Sequence, residues 1–289
     1  MNKNLLFKVM TLIMLSLWVS GANAQERIVR VLAIGNSFSQ DAVEQNLHEL
    51  CVAADRSIII GNMYIPGCSI ERHISCLRGD KHDYAYRKIE LNGDKKETKN
   101  FALRDALKDE PWDYITVQQA SHDSGKYETY DLLQELLDSI RLFNPNAKIL
   151  FHQTWAYAPN STHSGFKYYG RSQNIMYNNI VEVSKKVMND YKIDDIIPSG
   201  TAIQNARSTY LGNNLTRDGY HLDLIIGRYI AACTWFECLI HKKVVGNRYY
   251  PKGLSLWDLK TVQTAAHRAV KNPYAVSMKK KYMVDKDDE

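Results

Sequence analysis

Ser37 is the residue of this chain whose surroundings best suit nucleophilic catalysis. It follows a run from Ile28 to Ile34 that is apolar except for Arg30, and then a Gly-Asn turn, so the sequence predicts a buried strand that ends where a helix begins. A side chain at such a point lies at the carboxyl end of a sheet, beside backbone N–H groups that have no partner in the helix. A serine hydroxyl also needs a neighbouring base to attack at neutral pH.

The candidate base lies far downstream, in the segment Asp218-Gly219-Tyr220-His221. An Asp-x-x-His turn lets both side chains point the same way, so Asp218 can fix the tautomer of His221 and stabilise its imidazolium form. Taken alone, this spacing is more typical of a polar surface turn or a helix cap. The serine after the strand and the order of the three residues favour catalysis. Ser39 is the rival nucleophile, but its position favours a helix N-cap.

The elements that must position these residues alternate between strands and helices. Such alternation predicts an α/β fold with three layers, α/β/α (flavodoxin-like), around a central, mostly parallel five-stranded sheet. After the first strand, strands are predicted over 57–64, 114–118, 148–153 and 193–198, with a hairpin over 84–91 and 95–101. Helices are predicted over 41–55, 69–77, 101–108, 127–143, 165–190, 222–240 and 256–270. The carboxyl ends of the five strands are expected to meet at one edge, where ligands bind in such folds.

Four segments of the chain resemble the SGNH (GDSL-type) hydrolase superfamily: 34–39, 112–119, 154–157 and 217–222. The chain is most similar to an uncharacterised SGNH-like branch found in exported proteins of glycan-degrading bacteria, over about residues 27–240. The resemblance implies a serine hydrolase acting on ester bonds, with Ser37 as nucleophile, His221 as base and Asp218 as the residue that orients the base.

The same resemblance implies an oxyanion hole built partly from backbone. The N–H groups of Gly67 and Ser37 match two of the donors in the family. The third donor in the family is an asparagine in a Gly-x-Asn-Asp block, which this chain lacks. Either amide of Gln118 or Gln119 could replace it, with Gln118 slightly preferred, whereas an ungapped alignment would place His122 there.

Substrate contacts are predicted at Asn36, Trp155 and Tyr157, where aromatic rings after the fourth strand could stack on a sugar, although a packing role for them is equally compatible with the sequence. The predicted function is a serine esterase that hydrolyses an acyl ester, with acetyl as the expected group, on a carbohydrate. The alternative is a catalytically impaired glycan-binding protein on the same scaffold. It is favoured by the missing Gly-x-Asn-Asp block and by Asn36, which stands where the family's Gly-Asp-Ser block has aspartate.

Residues 1–24 have the features of a signal peptide: Lys3 and Lys8, an apolar stretch, and the small-x-small site Ala22-Asn23-Ala24. The sequence therefore predicts export, to the periplasm or the medium, and one SGNH-like domain over 25–289, with no membrane insertion after cleavage. The net charge of +5 includes this leader and a Lys-rich tail at 279–281, so no nucleic-acid partner is expected. No cofactor or metal is expected.

Five cysteines are present, and none forms a C-x-x-C motif. Cys51, Cys233 and Cys238 lie in apolar helical patterns, which predicts a place in the core. Cys68 and Cys76 are near enough in sequence to form a disulfide or to remain free thiols, and the sequence leaves both alternatives open.

Overall fold

The structure is a computed structural model that describes residues 28–278, so the predicted signal peptide and the Lys-rich tail lie outside the described residues. The strands are β1 (Val29–Gly35), β2 (Ile58–Tyr64), β3 (Tyr84–Ile89), β4 (Lys95–Phe101), β5 (Tyr114–Val117), β6 (Lys148–His152) and β7 (Asp195–Ile197). The α-helices are α1 (Ser37–Val43), α2 (Leu47–Val52), α3 (Ile70–Arg78), α4 (Leu103–Asp109), α5 (Leu133–Phe143), α6 (Gln173–Asp190), α7 (Ser199–Arg207), α8 (Ile226–Ile240) and α9 (Leu256–Lys271). Two 3-10 turns cover Tyr127–Tyr130 and Ser164–Tyr169.

The strands form one sheet in the order β4-β3-β2-β1-β5-β6-β7. The five strands from β2 to β7 in this order are parallel, and the α/β prediction is confirmed. The strand count was wrong, because the predicted hairpin β3–β4 pairs antiparallel with β2 and extends the sheet to seven strands. Strands β2 and β6 lie on either side of the central pair β1–β5, and all four are parallel, so their carboxyl ends share one edge.

Strand β1 is buried on both faces, as a central parallel strand must be. Val31 and Ala33 contact the core under one helical layer, whereas Leu32 and Ile34 contact the core under the other. The first layer contains α1, α2, α7, α8 and α9, and the second contains α3, α4 and α5, with α6 touching both. The three-layer architecture therefore holds the end of β1 rigidly from both sides.

Several helical segments differ from their predicted bounds. The helices predicted over 127–143 and 165–190 begin later, at Leu133 and Gln173, and a 3-10 turn covers the first part of each prediction. The helix predicted over 41–55 is two short helices, because Asn46 between them adopts a left-handed backbone with φ 69°. Helix α7 follows β7 directly and was not predicted. Helix α8 begins at Ile226 rather than at 222, since Asp223 caps it by accepting from the N–H groups of Ile225 and Ile226. The residues before Asp223 are thereby left in an irregular loop.

All five cysteines are buried free thiols. The predicted core positions of Cys51, Cys233 and Cys238 are confirmed, and burial raises the pKa of each thiol. Burial also raises the pKa values of Cys68 and Cys76. Within residues 28–278, no helix combines the length and the apolar character needed to cross a membrane.

Candidate active site

Ser37, His221 and Asp218 come together at the carboxyl edge of the sheet. The Oγ atom of Ser37 lies 2.9 Å from Nε2 of His221, and Nδ1 of the same ring lies 2.5 Å from Oδ2 of Asp218. The ring is thus held between a hydroxyl and a carboxylate, the arrangement in which an imidazole can take a proton from serine. Ser37 and His221 are partly exposed to solvent and Asp218 is exposed, so a substrate can reach them.

Asp218 is ionised and well oriented in this arrangement. Its Oδ1 atom accepts hydrogen bonds from the backbone N–H groups of His221, at 2.7 Å, and Tyr220, at 3.1 Å. Burial by itself would raise the pKa of Asp218, but the hydrogen bonds from the His221 ring and from these two N–H groups outweigh it and lower that pKa. Its carboxylate therefore stays charged throughout the pH range in which an imidazole titrates.

The loop that carries Asp218 and His221 needs a glycine between them. Gly219 has φ +88°, and a Cβ atom there would lie 2.6 Å from Cα of Ser161. The carbonyl of Gly219 accepts from the N–H of Ala158 at 2.7 Å, and the carbonyl of Tyr220 accepts from Nε1 of Trp155 at 2.7 Å. The loop after β6 therefore holds the His221 loop at two successive residues.

Asp41 ties the same loop to the helix of Ser37. It lies on α1, four residues after Ser37, and is completely buried. Its carboxylate accepts from the N–H of Leu222 at 2.8 Å, from Arg228 at 2.6 Å and from Arg217 at 3.1 Å. One carboxylate thus fixes both flanks of the His221 loop relative to Ser37. We call Asp41 and its three partners, the N–H of Leu222, Arg217 and Arg228, the Asp41 clamp.

Asn36 is the N-cap of α1 and connects three elements. Its Oδ1 atom accepts from the N–H of Phe38 and from Nε2 of Gln118, each at 2.9 Å, while its Nδ2 donates to the carbonyl of Cys68 at 3.0 Å. His152 in turn contacts Oε1 of Gln118 at 2.8 Å, which fixes the orientation of that amide. The prediction that Asn36 contacts substrate is wrong, because the side chain is buried and its polar atoms are all occupied.

The carbonyl partner of Asn36 explains why this chain has asparagine where the SGNH family has aspartate. An aspartate would keep both bonds at Oδ1, but its second oxygen would face the carbonyl of Cys68. We expect Asn36→Asp to lower the free energy of unfolding by about 1–3 kcal/mol at pH 7, since a donor is replaced by a second acceptor. The loss should shrink towards pH 4, where a protonated carboxyl can donate to that carbonyl.

Chemical denaturation at both pH values measures this effect. Asn146→Asp is the matched control, since Asn146 is exposed and the same change of charge there should move stability by less than about 0.5 kcal/mol. An Asn36→Asp protein as stable as the wild type at pH 7 would show that the hydrogen bond to the Cys68 carbonyl does not contribute to the free energy of unfolding.

The two glutamines predicted as oxyanion donors have other partners. Nε2 of Gln118 donates to Asn36, and the amide is packed behind Gly35, where a Cβ atom would lie 2.9 Å from Cδ of Gln118. Nε2 of Gln119 donates to the carbonyl of Thr129 at 2.7 Å, and its oxygen accepts from the N–H of Ile70 at 3.0 Å. Both amides are buried, so the prediction that either one donates to the oxyanion is wrong.

The two backbone groups predicted to donate to the oxyanion are free to do so. The N–H groups of Ser37 and Gly67 donate to no group within residues 28–278. Gly67 is exposed with φ +61° in the turn after β2, and the bond from Asn36 to the next residue, Cys68, holds this turn against the residue before Ser37. His122, the remaining alternative for a third donor, has a side chain that is 36% exposed.

Trp155 and Tyr157 support the site from within the core. The ring of Trp155 is fully buried and stacks on Phe38 with centroids 4.2 Å apart. Tyr157 is also fully buried, and its hydroxyl lies 2.7 Å from Oγ of Ser121. The prediction that these two rings form an open wall for sugar stacking is therefore wrong, and the packing alternative holds.

Ser39 is neither the N-cap nor a free nucleophile. Its Oγ atom is buried and lies 2.8 Å from both the carbonyl of Asn36 and Oδ1 of Asn62. The N-cap of α1 is Asn36, so the capping role predicted for Ser39 is filled by another residue. Of the two serines, only Ser37 lies within hydrogen-bond distance of His221.

Three residues near the triad escaped the sequence prediction: Asp41, His163 and Tyr220. The sequence offers no signal for His163, a lone histidine in a polar loop, or for Asp41, whose arginine partners are distant in the chain. Tyr220 lies inside the Asp-x-x-His segment, and its ring lies beside His221 with centroids 4.2 Å apart.

The family of this chain follows from its sequence as a whole. The profile of the domain of unknown function DUF4886 matches residues 30–269. The chain belongs to the DUF4886 family. A DUF4886 family protein from Bacteroides uniformis ATCC 8492 has a crystal structure with a TM-score of 0.87 and 52% sequence identity, over 89% of this chain and 100% of that chain. No curated protein sequence matches this DUF4886 chain.

Two more distant solved structures are described as hydrolases of the SGNH or GDSL type. A protein from Parabacteroides merdae ATCC 43184 described as a GDSL-like lipase has a TM-score of 0.50 and 14% identity, over 74% of this chain and 96% of that chain. A protein from Slackia heliotrinireducens described as an SGNH hydrolase has a TM-score of 0.48 and 18% identity, over 73% and 98% of the two chains. The likeness to the Parabacteroides merdae structure confirms the predicted resemblance at the level of the fold.

Proposed function

We propose that this protein is a serine esterase that hydrolyses an acyl ester, with acetyl as the expected group, on a carbohydrate. The observation that supports it most directly is the unbroken contact from Ser37 through His221 to Asp218, at 2.9 Å and 2.5 Å. In the proposed reaction, Ser37 attacks the ester carbonyl while Nε2 of His221 accepts its proton. Asp218, held in its ionised form, stabilises the imidazolium at Nδ1.

The negative charge that develops on the carbonyl oxygen is proposed to be stabilised by the backbone N–H groups of Ser37 and Gly67. Each such donor can contribute about 3 kcal/mol to transition-state stabilisation. His221 then returns its proton to the departing alcohol oxygen, and a water molecule, activated by the same ring, releases the acid from Ser37. Every proton in this cycle passes through Nε2 of His221.

Only a neutral imidazole at His221 can accept the serine proton. Asp218 stays ionised at neutral pH, since the hydrogen bonds it accepts hold its pKa below the usual value. The leader-like segment at 1–24 supports a proposal that the reaction takes place after export, where glycan esters are encountered.

The reaction is tested by incubating the purified mature chain with a mono-acetylated methyl glucoside, ethyl acetate and a long-chain acyl ester, and by measuring the acid released. We expect release of acetate from the glucoside and little turnover of the long-chain ester. If no ester is hydrolysed but the glycoside still binds, the glycan-binding alternative replaces the esterase. Preference for the long-chain ester would contradict the carbohydrate assignment.

A further inference from the structure

A row of partly exposed rings extends from His221 through Tyr220 and His163 to His122. The Tyr220 ring lies 4.2 Å from the His221 ring, the His163 ring lies 5.1 Å from Tyr220 at 74°, and the His122 ring lies 5.4 Å from His163 at 28°. All four side chains are partly exposed to solvent. The proposed reaction uses only His221, so the other three rings have no assigned role. We call Tyr220, His163 and His122 the ring row.

The ring row is fixed by contacts between three loops. The His163 ring packs on Tyr157, with centroids 5.0 Å apart. Gly165 allows His122 to approach, because a Cβ atom at that glycine would collide with Cβ of His122. The carbonyl of His122 accepts from the hydroxyl of Tyr169 at 3.1 Å. The loops after β5 and β6 and the His221 loop thus present one preformed surface.

His163 has a defined tautomer and a free donor. Its Nδ1 atom accepts from the N–H of Gly165 at 3.1 Å, so the neutral ring must carry its proton on Nε2. Within residues 28–278, no group accepts from that Nε2–H. Burial, followed by the charges of His122 and His221, lowers the pKa of His163 in spite of the nearby carboxylate of Asp218. His163 is therefore a neutral donor under neutral conditions.

The position of the ring row relative to His221 identifies the part of the substrate it can contact. Nε2 of His221 must reach the oxygen of the departing alcohol to protonate it, so the alcohol lies on the His221 side of Ser37. The ring row begins at Tyr220, directly beside His221. The acyl group, in contrast, is bonded to Ser37 and lies away from that side.

The chemistry of the ring row matches a sugar alcohol. Aromatic faces pack against the C–H face of a pyranose ring, and a neutral N–H can donate to a hydroxyl oxygen. A long aliphatic alcohol would leave the Nε2–H of His163 buried without a partner, at a cost of about 1–3 kcal/mol. We propose that His163 determines specificity for a sugar alcohol, with its Nε2–H donating to a sugar hydroxyl while Tyr220 packs against the sugar ring. This inference rests on the proposed esterase function and names the residue that selects its substrate.

The test compares the mono-acetylated methyl glucoside with ethyl acetate, which carries the same acyl group on an alcohol without hydroxyls. His163→Phe keeps a ring but removes the N–H, and we expect the specificity ratio, glucoside over ethyl acetate in kcat/KM, to fall about 3- to 10-fold, mostly through KM. His163→Gln, which restores a neutral N–H near the position of Nε2, should recover most of the ratio. Lys167→Ala, on the same loop and exposed, is the matched control and should leave the ratio as in the wild type.

A second readout is independent of turnover. The Kd of the same glucoside for Ser37→Ala protein should rise by a similar factor when His163→Phe is added. An equal loss of activity on both esters, or an unchanged ratio and an unchanged Kd, would overturn the role of His163. In those cases ester hydrolysis by the wild type would still stand. A wild type that binds the glucoside through His163 but hydrolyses neither ester would reject the esterase and keep the sugar site.

Discussion

Replacing Ser37 with alanine is expected to reduce ester turnover at least about 1,000-fold, because the attacking oxygen is lost and only substrate binding and the oxyanion donors remain. Thermal unfolding should change little, since the hydroxyl is partly exposed and its described hydrogen bond is to His221 alone. The measurement is kcat on an acetyl ester for the wild type and Ser37→Ala, with Tm measured on the same samples.

Ser39→Ala is the matched control. This buried hydroxyl bonds Asn36 and Asn62 rather than His221, so its removal should cost about 1 kcal/mol of stability and change kcat by no more than a few-fold. If Ser39→Ala abolishes turnover while Ser37→Ala retains it, the nucleophile has been assigned to the wrong serine.

Asp41→Asn is expected to have the largest effect on stability in this chain. The change leaves Arg228, whose side chain is only 9% exposed, without a counter-charge in the core. Breaking a buried ion pair in this way typically lowers the free energy of unfolding by about 3–5 kcal/mol. The Asp41 clamp also holds the N–H of Leu222, next to His221, so we expect kcat to fall about 10- to 100-fold at temperatures where the variant is folded.

Two further variants show whether the loss of stability in Asp41→Asn comes from the unpaired charge of Arg228 or from a general disturbance of the structure. Asp138→Asn removes an exposed carboxylate that lies 3.7 Å from Arg141, and it should change stability by less than about 0.5 kcal/mol. The double variant Asp41→Asn/Arg228→Gln leaves no charge unpaired at Arg228, so it should recover about 1–3 kcal/mol relative to Asp41→Asn. A double variant less stable than either single variant would contradict the claim that Asp41 stabilises the protein by pairing its charge with that of Arg228.

The parts of the fold that the sequence predicts correctly are those with local signals. The apolar run before Ser37 and the Asn-Gly turn of the hairpin each depend on a few neighbouring residues, and their elements lie where expected. Ser37, Asp218 and His221 were identified in the same way, from short segments with characteristic spacing, and the structure brings them together. The hairpin's place in the sheet was missed because its pairing with β2 is a long-range contact.

The wrong predictions at the site also concern contacts between residues that are far apart in the sequence. An aromatic residue after a strand looks alike in sequence whether it faces solvent or the core, and Trp155 is buried because Phe38, far away in the chain, stacks on it. The role of Gln118 is set by His152 and Asn36, and that of Asp41 by Arg217 and Leu222, all distant in sequence. A single sequence shows none of these contacts.

Covalent labelling tests the central claim most directly, because it reports which hydroxyl His221 activates. Native protein is treated with a serine-reactive phosphonate, digested, and mapped by mass spectrometry. The triad predicts a single adduct on Ser37 that His221→Ala suppresses. An adduct on another serine, or ester hydrolysis without any adduct on Ser37, would contradict it.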